Sequence, residues 1–272
     1  MTDLSIPGPF WLIGCGNMAA AMLRGWLDAG LDPAQVTVVR PSGKPVAEGV
    51  RVLTTLPLDE RPAMTMLGVK PQKLDEVAPD LGPVLEGSDL LISVLAGVEQ
   101  ASLRRRFPGP RTIVRAMPNT PTALRKGATS LYAEGGRGED RAVVERLMRT
   151  LGHIEWIGDE SLFDVVAALT ASGPAFVFRF VDALASGAAA LGLPEDQARR
   201  LALATVEGSG ALAAASGETP HQLAERVASP GGMTRKGLDV LDADESLNRL
   251  VQATLEAAVR RSREMGEEAR RT

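Results

Sequence analysis

The stretch Phe10 to Leu27, FWLIGCGNMAAAMLRGWL, decides how the chain folds. Phe10 to Ile13 is an apolar run long enough for a buried strand and too short for a helix. Gly14-Cys15-Gly16 then interrupts any regular element. From Asn17 onward Met18, Ala21, Met22 and Ala29 recur at helical spacing, and Gly30 is placed to close the helix. In a strand, glycine turn and helix, Gly14-x-Gly16-x-x-Ala19 reads as a dinucleotide fingerprint. Gly14 permits the tight turn, and Gly16 lets backbone approach a pyrophosphate with no Cβ in the way. Ala19 is small enough for the helix to lie close on its strand. The helix start at Asn17 and Met18 offers unpaired N–H groups and a positive dipole end to phosphate. Cys15 sits within this turn, where its small size matters more than its sulfur.

Working outward, Val36 to Val39 reads as a second strand, ending in Arg40-Pro41-Ser42-Gly43-Lys44. An acidic residue here would accept hydrogen bonds from a ribose 2′-hydroxyl, whereas a basic one accommodates a 2′-phosphate. Arg40, Ser42 and Lys44 are present, with no carboxylate before Glu48. The expected cofactor is therefore NADPH, with NADH the alternative; a solvated polar loop is the other reading of the same residues. Met64 to Val69 forms a third strand running into Lys70-Pro71-Gln72, and Leu74 to Leu85 a helix. Asp89 to Leu95 is the next strand, ending in Ala96-Gly97-Val98, and Thr112 to Ala116 another, ending in Met117-Pro118-Asn119-Thr120-Pro121. Parallel sheets bind ligands at such strand ends, and Pro71, Pro118 and Pro121 stiffen the backbone there. Ala128 to Tyr132 reads as an added strand, Arg141 to Leu151 as a helix, and His153 to Ile157 as a last short strand.

Beyond about residue 160 alternating strands give way to Ala-rich helical segments: 161–169, 175–191, 194–216, 220–228, 235–241 and 246–270. The predicted domains are residues 1–159, which bind the dinucleotide, and 160–272, which are helical. The second is small and apolar on several helix faces, which predicts burial against another copy of the chain. In composition the 272 residues are those of an ordinary soluble globular protein, 44% hydrophobic and 24% charged. A net charge of −4 and the lack of a basic run with aromatics argue against a nucleic-acid partner. Met1 to Pro9 contains Asp3 and lacks the layout of a signal peptide. Arg179 and Asp182 interrupt the apolar run from Phe176 to Leu193, which argues against a membrane span. With one cysteine, Cys15, no internal disulfide forms, and the cytoplasm is the expected compartment.

The set GCGNMA, VKPQ, ISVLAGV, RAMPNTPTALRKGATSLYA, ALTASGPAF and SPGGMT resembles pyrroline-5-carboxylate reductase, in order and over nearly the whole chain. The resemblance implies an α/β Rossmann-type N-terminal domain followed by an all-α helical dimerisation domain. It also implies NAD(P)H-dependent reduction of the cyclic imine 1-pyrroline-5-carboxylate to L-proline, in a homodimer or a larger assembly of dimers. By resemblance Ser229, Gly232, Met233 and Thr234 surround the substrate carboxylate and ring nitrogen, with Thr234 the catalytic hydroxyl. Glu160 matches an acidic position that faces the substrate nitrogen in relatives, and as a bare residue reads equally as a helix-opening acid. The cofactor would be held by Gly14, Cys15, Gly16, Asn17, Met18, Arg40, Ser42, Thr55, Lys70, Pro71 and Ala96, with no metal.

Physical chemistry accommodates these roles. Ser229-Pro230-Gly231-Gly232 precedes a helix starting near Thr234, and a helix start favours an anion such as a carboxylate. The competing reading of Ser229 or Thr234 is a helix cap. A protonated imine is already electrophilic, so orientation of donor and acceptor supplies most of the catalysis. Four positions depart from the family pattern: Ala171 replaces a usual glycine, Phe176 a tyrosine, Met233 a threonine or alanine, and Thr55 an asparagine. They bear on substrate preference, leaving a reductase for a related six-membered cyclic imine acid as an alternative. A β-hydroxyacid dehydrogenase would need a basic lysine on its interdomain helix, and none occurs between Lys126 and Lys236. Retention of Ser229 and Thr234 beside the fingerprint argues against a non-catalytic nucleotide-binding scaffold.

Overall fold

The computed structural model describes residues 4–271, with side chains described for 4–267. By contacts the chain divides into two compact units: one up to Ser172 together with the stretch from Ala258, the other Gly173–Ala257.

In the first unit an eight-stranded sheet has the order β3-β2-β1-β4-β5-β6-β7-β8. Its strands are β1 (Phe10–Ile13), β2 (Val36–Val39), β3 (Arg51–Leu53), β4 (Met64–Leu67), β5 (Leu90–Ser93), β6 (Thr112–Met117), β7 (Gly127–Tyr132) and β8 (Gly152–Trp156). All neighbours pair parallel except β6 and β7. Parallel strands are buried on both faces and so read as near-continuous apolar runs, as FWLI does and, but for the buried Thr37, VTVV. Phe10 and Leu12 point into one core with Met22, Leu23 and Trp26 of α1 (Asn17–Asp28) and Leu147 of α4 (Gly138–Arg149). Trp11 and Ile13 point into the other, with Leu81 of α2 (Leu74–Val84) and Leu103 of α3 (Gln100–Arg106). Trp26 ties α1 to α4 by donating its indole N–H to the Leu147 carbonyl at 3.0 Å.

Two elements have no counterpart in the sequence reading. β3 lies at the sheet edge, half-exposed, with Arg51 paired to Glu60 at 2.7 Å, so it shows no apolar run. α3 is a seven-residue helix whose Gln100 and Leu103 are buried and whose last turn is three arginines.

The boundary expected after residue 159 differs from these units. Glu160–Leu162 is a 3₁₀ turn, Phe163–Val166 a short helix (α5) and Ala167–Ala171 a π turn. All three lie in the first unit, where Phe163 and Ala168 are buried. In the second unit the chain forms α6 (Gly173–Ala190), α7 (Glu195–Ala215), α8 (Pro220–Val227), α9 (Met233–Asp242) and α10 (Ser246–Arg271), the last re-entering the first unit at Ala258. The core of the second unit is built on Ala185, Ala198 and Ala202 where α6 meets α7. Phe178 is 65% exposed, Leu201 57% and Val240 72%, so large apolar groups stay uncovered while alanines fill the interior.

Candidate active site

Strand register brings the sequence motifs of the first unit to one edge of the sheet. Ile13 is level with Val39 and Leu67, and Leu67 with Ser93. The turns that follow, Gly14–Met18, Arg40–Ser42, Lys70–Pro71 and Ala96, therefore leave the same end of neighbouring strands. The strand order reverses between β1 and β4, the switch point at which open parallel sheets bind dinucleotides.

The glycines of the turn do different work. Gly14 has φ +82°, and a Cβ there would lie 2.9 Å from the Gly68 backbone. Its N–H donates to the Val39 carbonyl at 2.8 Å. At Gly16, by contrast, the backbone is extended and a Cβ would meet nothing within 4 Å. Contacts within the fold therefore do not require glycine at position 16. Ala19 Cβ lies 3.1 Å from the Cβ position of Gly68, so the helix sits as close as the fingerprint requires. The first intrahelical bond runs from Ala20 N–H to the Gly16 carbonyl, and no side chain caps the helix. The amides of Asn17 and Met18 are the donors such a terminus leaves for an anion. Burial pushes the Cys15 thiol up, partly opposed by Arg40 and Arg24, so it serves as a small packing group. These residues fit a dinucleotide.

β3 gives the Arg40–Lys44 loop a neighbour that the sequence did not reveal. It pairs with β2, Val39 level with Leu53, and the Arg40 N–H donates to the Leu53 carbonyl at 2.9 Å. The bend Thr54-Thr55 is thereby placed beside the Arg40–Lys44 loop, where Thr54 Cγ2 lies 3.1 Å from the Cβ position of Gly43.

Next to Ala96, a concavity of about 290 Å³ is lined by Gly97, Arg115, Glu160, Phe163 and Ser262 among others. Glu160 Oε1 accepts from the Gln100 N–H at 2.7 Å and from Arg115 Nη1 at 2.5 Å. Arg115 is 5% exposed, and its guanidinium lies 4.2 Å over the Phe163 ring. Tyr132 meets Phe163 edge-on at 6.5 Å, and burial first, then the Glu160 charge, raises its phenol. Glu160 therefore does more than open a helix: it anchors the 3₁₀ turn to β6. A charged residue inside the apolar run Thr112–Met117 was the available signal for Arg115, since a buried arginine requires a partner.

Ser229, Gly232, Met233 and Thr234 come together in the second unit. The capping position of α9 is Gly232, which has no side chain, so Thr234 is not the cap. The Gly232 N–H donates to the Ser229 carbonyl at 3.0 Å, and a Cβ on Gly232 would lie 2.4 Å from Ser229 Oγ. The intrahelical ladder begins with Lys236 N–H to the Gly232 carbonyl. The Met233 and Thr234 amides are among the donors left at this terminus, and Met233 is 90% exposed. Among the described residues no group of three or more His, Cys, Asp or Glu is placed to hold a metal.

A doubly wound sheet with this glycine turn at its switch point, followed by a helical unit, defines a nicotinamide-dinucleotide-dependent oxidoreductase. Residues 160–265 match the family model described as pyrroline-5-carboxylate reductase dimerisation, and 10–97 one described as NADP oxidoreductase, coenzyme F420-dependent. The pyrroline-5-carboxylate reductase of Pseudomonas aeruginosa is 34% identical over 94% of this chain and 96% of its own. That of Pisum sativum is 34% identical over 93% of this chain and 94% of its own. The structure of the Coxiella burnetii enzyme superposes with a TM-score of 0.88 at 32% identity, covering 95% of this chain and 98% of that one. The Plasmodium falciparum enzyme, solved with NADP bound, superposes at 0.82 with 26% identity, over 96% and 98%. The chain belongs to the pyrroline-5-carboxylate reductase family.

Proposed function

We propose that the chain reduces 1-pyrroline-5-carboxylate to L-proline with NADPH as preferred reductant, in the cytoplasm, as a homodimer or a larger assembly of dimers. The uncapped start of α9 carries the substrate half of this reading, because it offers N–H donors and a hydroxyl that have no hydrogen-bond partner among the described residues. The Met233 and Thr234 amides would hold the substrate carboxylate, favoured there by the helix dipole. Ser229 shapes the turn from beneath Gly232. Reduced nicotinamide, when bound, would supply a hydride to the imine carbon of the ring, the one double-bonded to nitrogen and not the one bearing the carboxylate. Thr234 would hold the ring nitrogen through its hydroxyl while that nitrogen changes from iminium to amine and its lone pair takes up a proton. Glu160, held by Arg115, keeps the negative charge that by resemblance would favour the protonated, electrophilic imine. The reading is tested by following loss of NADPH absorbance with five- and six-membered cyclic imine acids. Faster turnover of the six-membered ring would move the assignment to the related reductase, and no turnover with either would reject it.

Preference for NADPH rests on Arg40 and Ser42 beside Thr55, with no carboxylate among them. Replacing Arg40 by alanine should cost roughly 1.5–3 kcal/mol in NADPH binding, the worth of a hydrogen bond to a charged group. The Michaelis constant for NADH should move much less; equal effects on both would remove the argument.

What supports a dimer is the second unit itself. By length and composition the helical run Glu160–Ala190 could cross a bilayer, yet it lies within the 160–265 match. Asp164, Arg179 and Asp182 also interrupt it. We assign its uncovered apolar face to a second copy of the chain. Light scattering should give at least twice the mass of one chain, and a fully active monomer at assay concentration would sink the proposal.

A further inference from the structure

β6 runs out into Met117-Pro118-Asn119, and Asn119 is 7% exposed. Its side chain is engaged at both ends. Oδ1 accepts the Ala128 N–H at 2.9 Å, and Nδ2 donates to the Thr170 carbonyl at 3.0 Å. A backbone N–H can only donate and a carbonyl only accept, so these partners fix the orientation of the amide. Thr170 belongs to the π turn Ala167–Ala171, which closes with Ser172 N–H bonding the Ala167 carbonyl at 3.2 Å, a five-residue step. In an ordinary helix the Thr170 carbonyl would be bonded by the N–H of residue 174. Residue 174 is proline and has none. The Asn119 amide supplies the donor that Pro174 lacks.

We infer that Asn119 is a positioning residue for the reaction proposed above, acting through the Thr170 carbonyl. It pins the last turn before Gly173, where the second unit begins, to the end of a strand on the cofactor edge of the sheet. A π turn persists where surrounding structure compensates it, and such turns concentrate at functional sites. One amide here stabilises the turn and at the same time sets where the chain leaves the first unit. Its other end holds Ala128 at the start of β7, so the Asn119 side chain itself has no freedom to shift.

The test uses Asn119→Asp, which keeps the acceptor for Ala128 and removes the donor to Thr170. Single-turnover reduction of the cyclic imine should slow about tenfold to a hundredfold, the effect of misplacing reacting groups by a fraction of an ångström to an ångström. The dissociation constant for NADPH should stay nearly unchanged. Pro174→Ala returns an N–H to position 174, so the double variant Asn119→Asp/Pro174→Ala should recover much of the lost rate. If Asn119→Asp does not fold, Asn119→Ser, which cannot reach Thr170 and buries no charge, replaces it in both experiments. Wild-type rates in the single variant would overturn the inference, as would a parallel loss of NADPH affinity. Slow reduction that Pro174→Ala fails to restore would also overturn it. Absence of turnover in the wild type would instead reject the assigned reaction and is read separately.

Discussion

Gly16→Val should abolish most cofactor affinity while leaving the fold nearly intact. The new side chain meets no protein atom, since a Cβ at Gly16 has nothing within 4 Å, and the backbone there is extended, at φ −81°. Valine is a poorer helix N-cap than glycine, which costs about 1 kcal/mol and lowers the melting temperature by about 2–4 °C in a chain of this size. The functional cost is much larger. A pyrophosphate held off the amides of Asn17 and Met18 loses two charge-assisted hydrogen bonds, each worth roughly 1.5–3 kcal/mol. At about 1.4 kcal/mol per decade this amounts to roughly 10²–10⁴-fold in NADPH affinity. Gly14→Ala should behave in the opposite sense, damaging the fold first, because its Cβ would press on the Gly68 backbone and φ is +82°. Calorimetric titration with NADPH and melting curves on both variants separate the roles. Wild-type affinity in Gly16→Val would mean that the turn does not hold the pyrophosphate.

Thr234→Ala should slow hydride transfer with little change in stability. Gly232, not Thr234, occupies the capping position of α9, so deleting the Thr234 hydroxyl removes no cap. Away from such features a partly exposed substitution shifts stability by no more than about 0.5 kcal/mol. A positioned proton donor contributes about 10²–10⁴-fold, and an iminium needs little acid assistance, so the loss is expected near the lower end. NADPH binding should hardly move. Thr234→Ser restores the hydroxyl without the methyl group and should recover part of the rate. A variant that melts early yet transfers hydride at the wild-type rate would reduce Thr234 to a structural role.

The elements readable in the sequence share one property: the forces that make them are local. β1, β2 and β4 are apolar runs because a parallel strand is buried on both faces, and the intervening turn carries glycines for steric reasons confined to a few residues. The long helices of the second unit announce themselves by periodicity in the same way. β3 and α3 escaped because an edge strand and a seven-residue helix need bury only one side. The anchoring of residues 160–172 escaped for another reason. Arg115 reaches Glu160 across 45 positions, and Asn119 reaches Thr170 across 51. No periodic pattern encodes such pairs; they exist only once the sheet has brought the end of β6 beside the 3₁₀ and π turns. The role of Thr234 divides along the same line. Its place near a helix start was legible, but whether its hydroxyl caps that helix depends on which residue takes the extended backbone at the boundary, and that residue is Gly232. Local chemistry thus settled the class of fold and the shape of the glycine turn, whereas contacts between residues distant in sequence decided which polar side chains are already engaged within the chain.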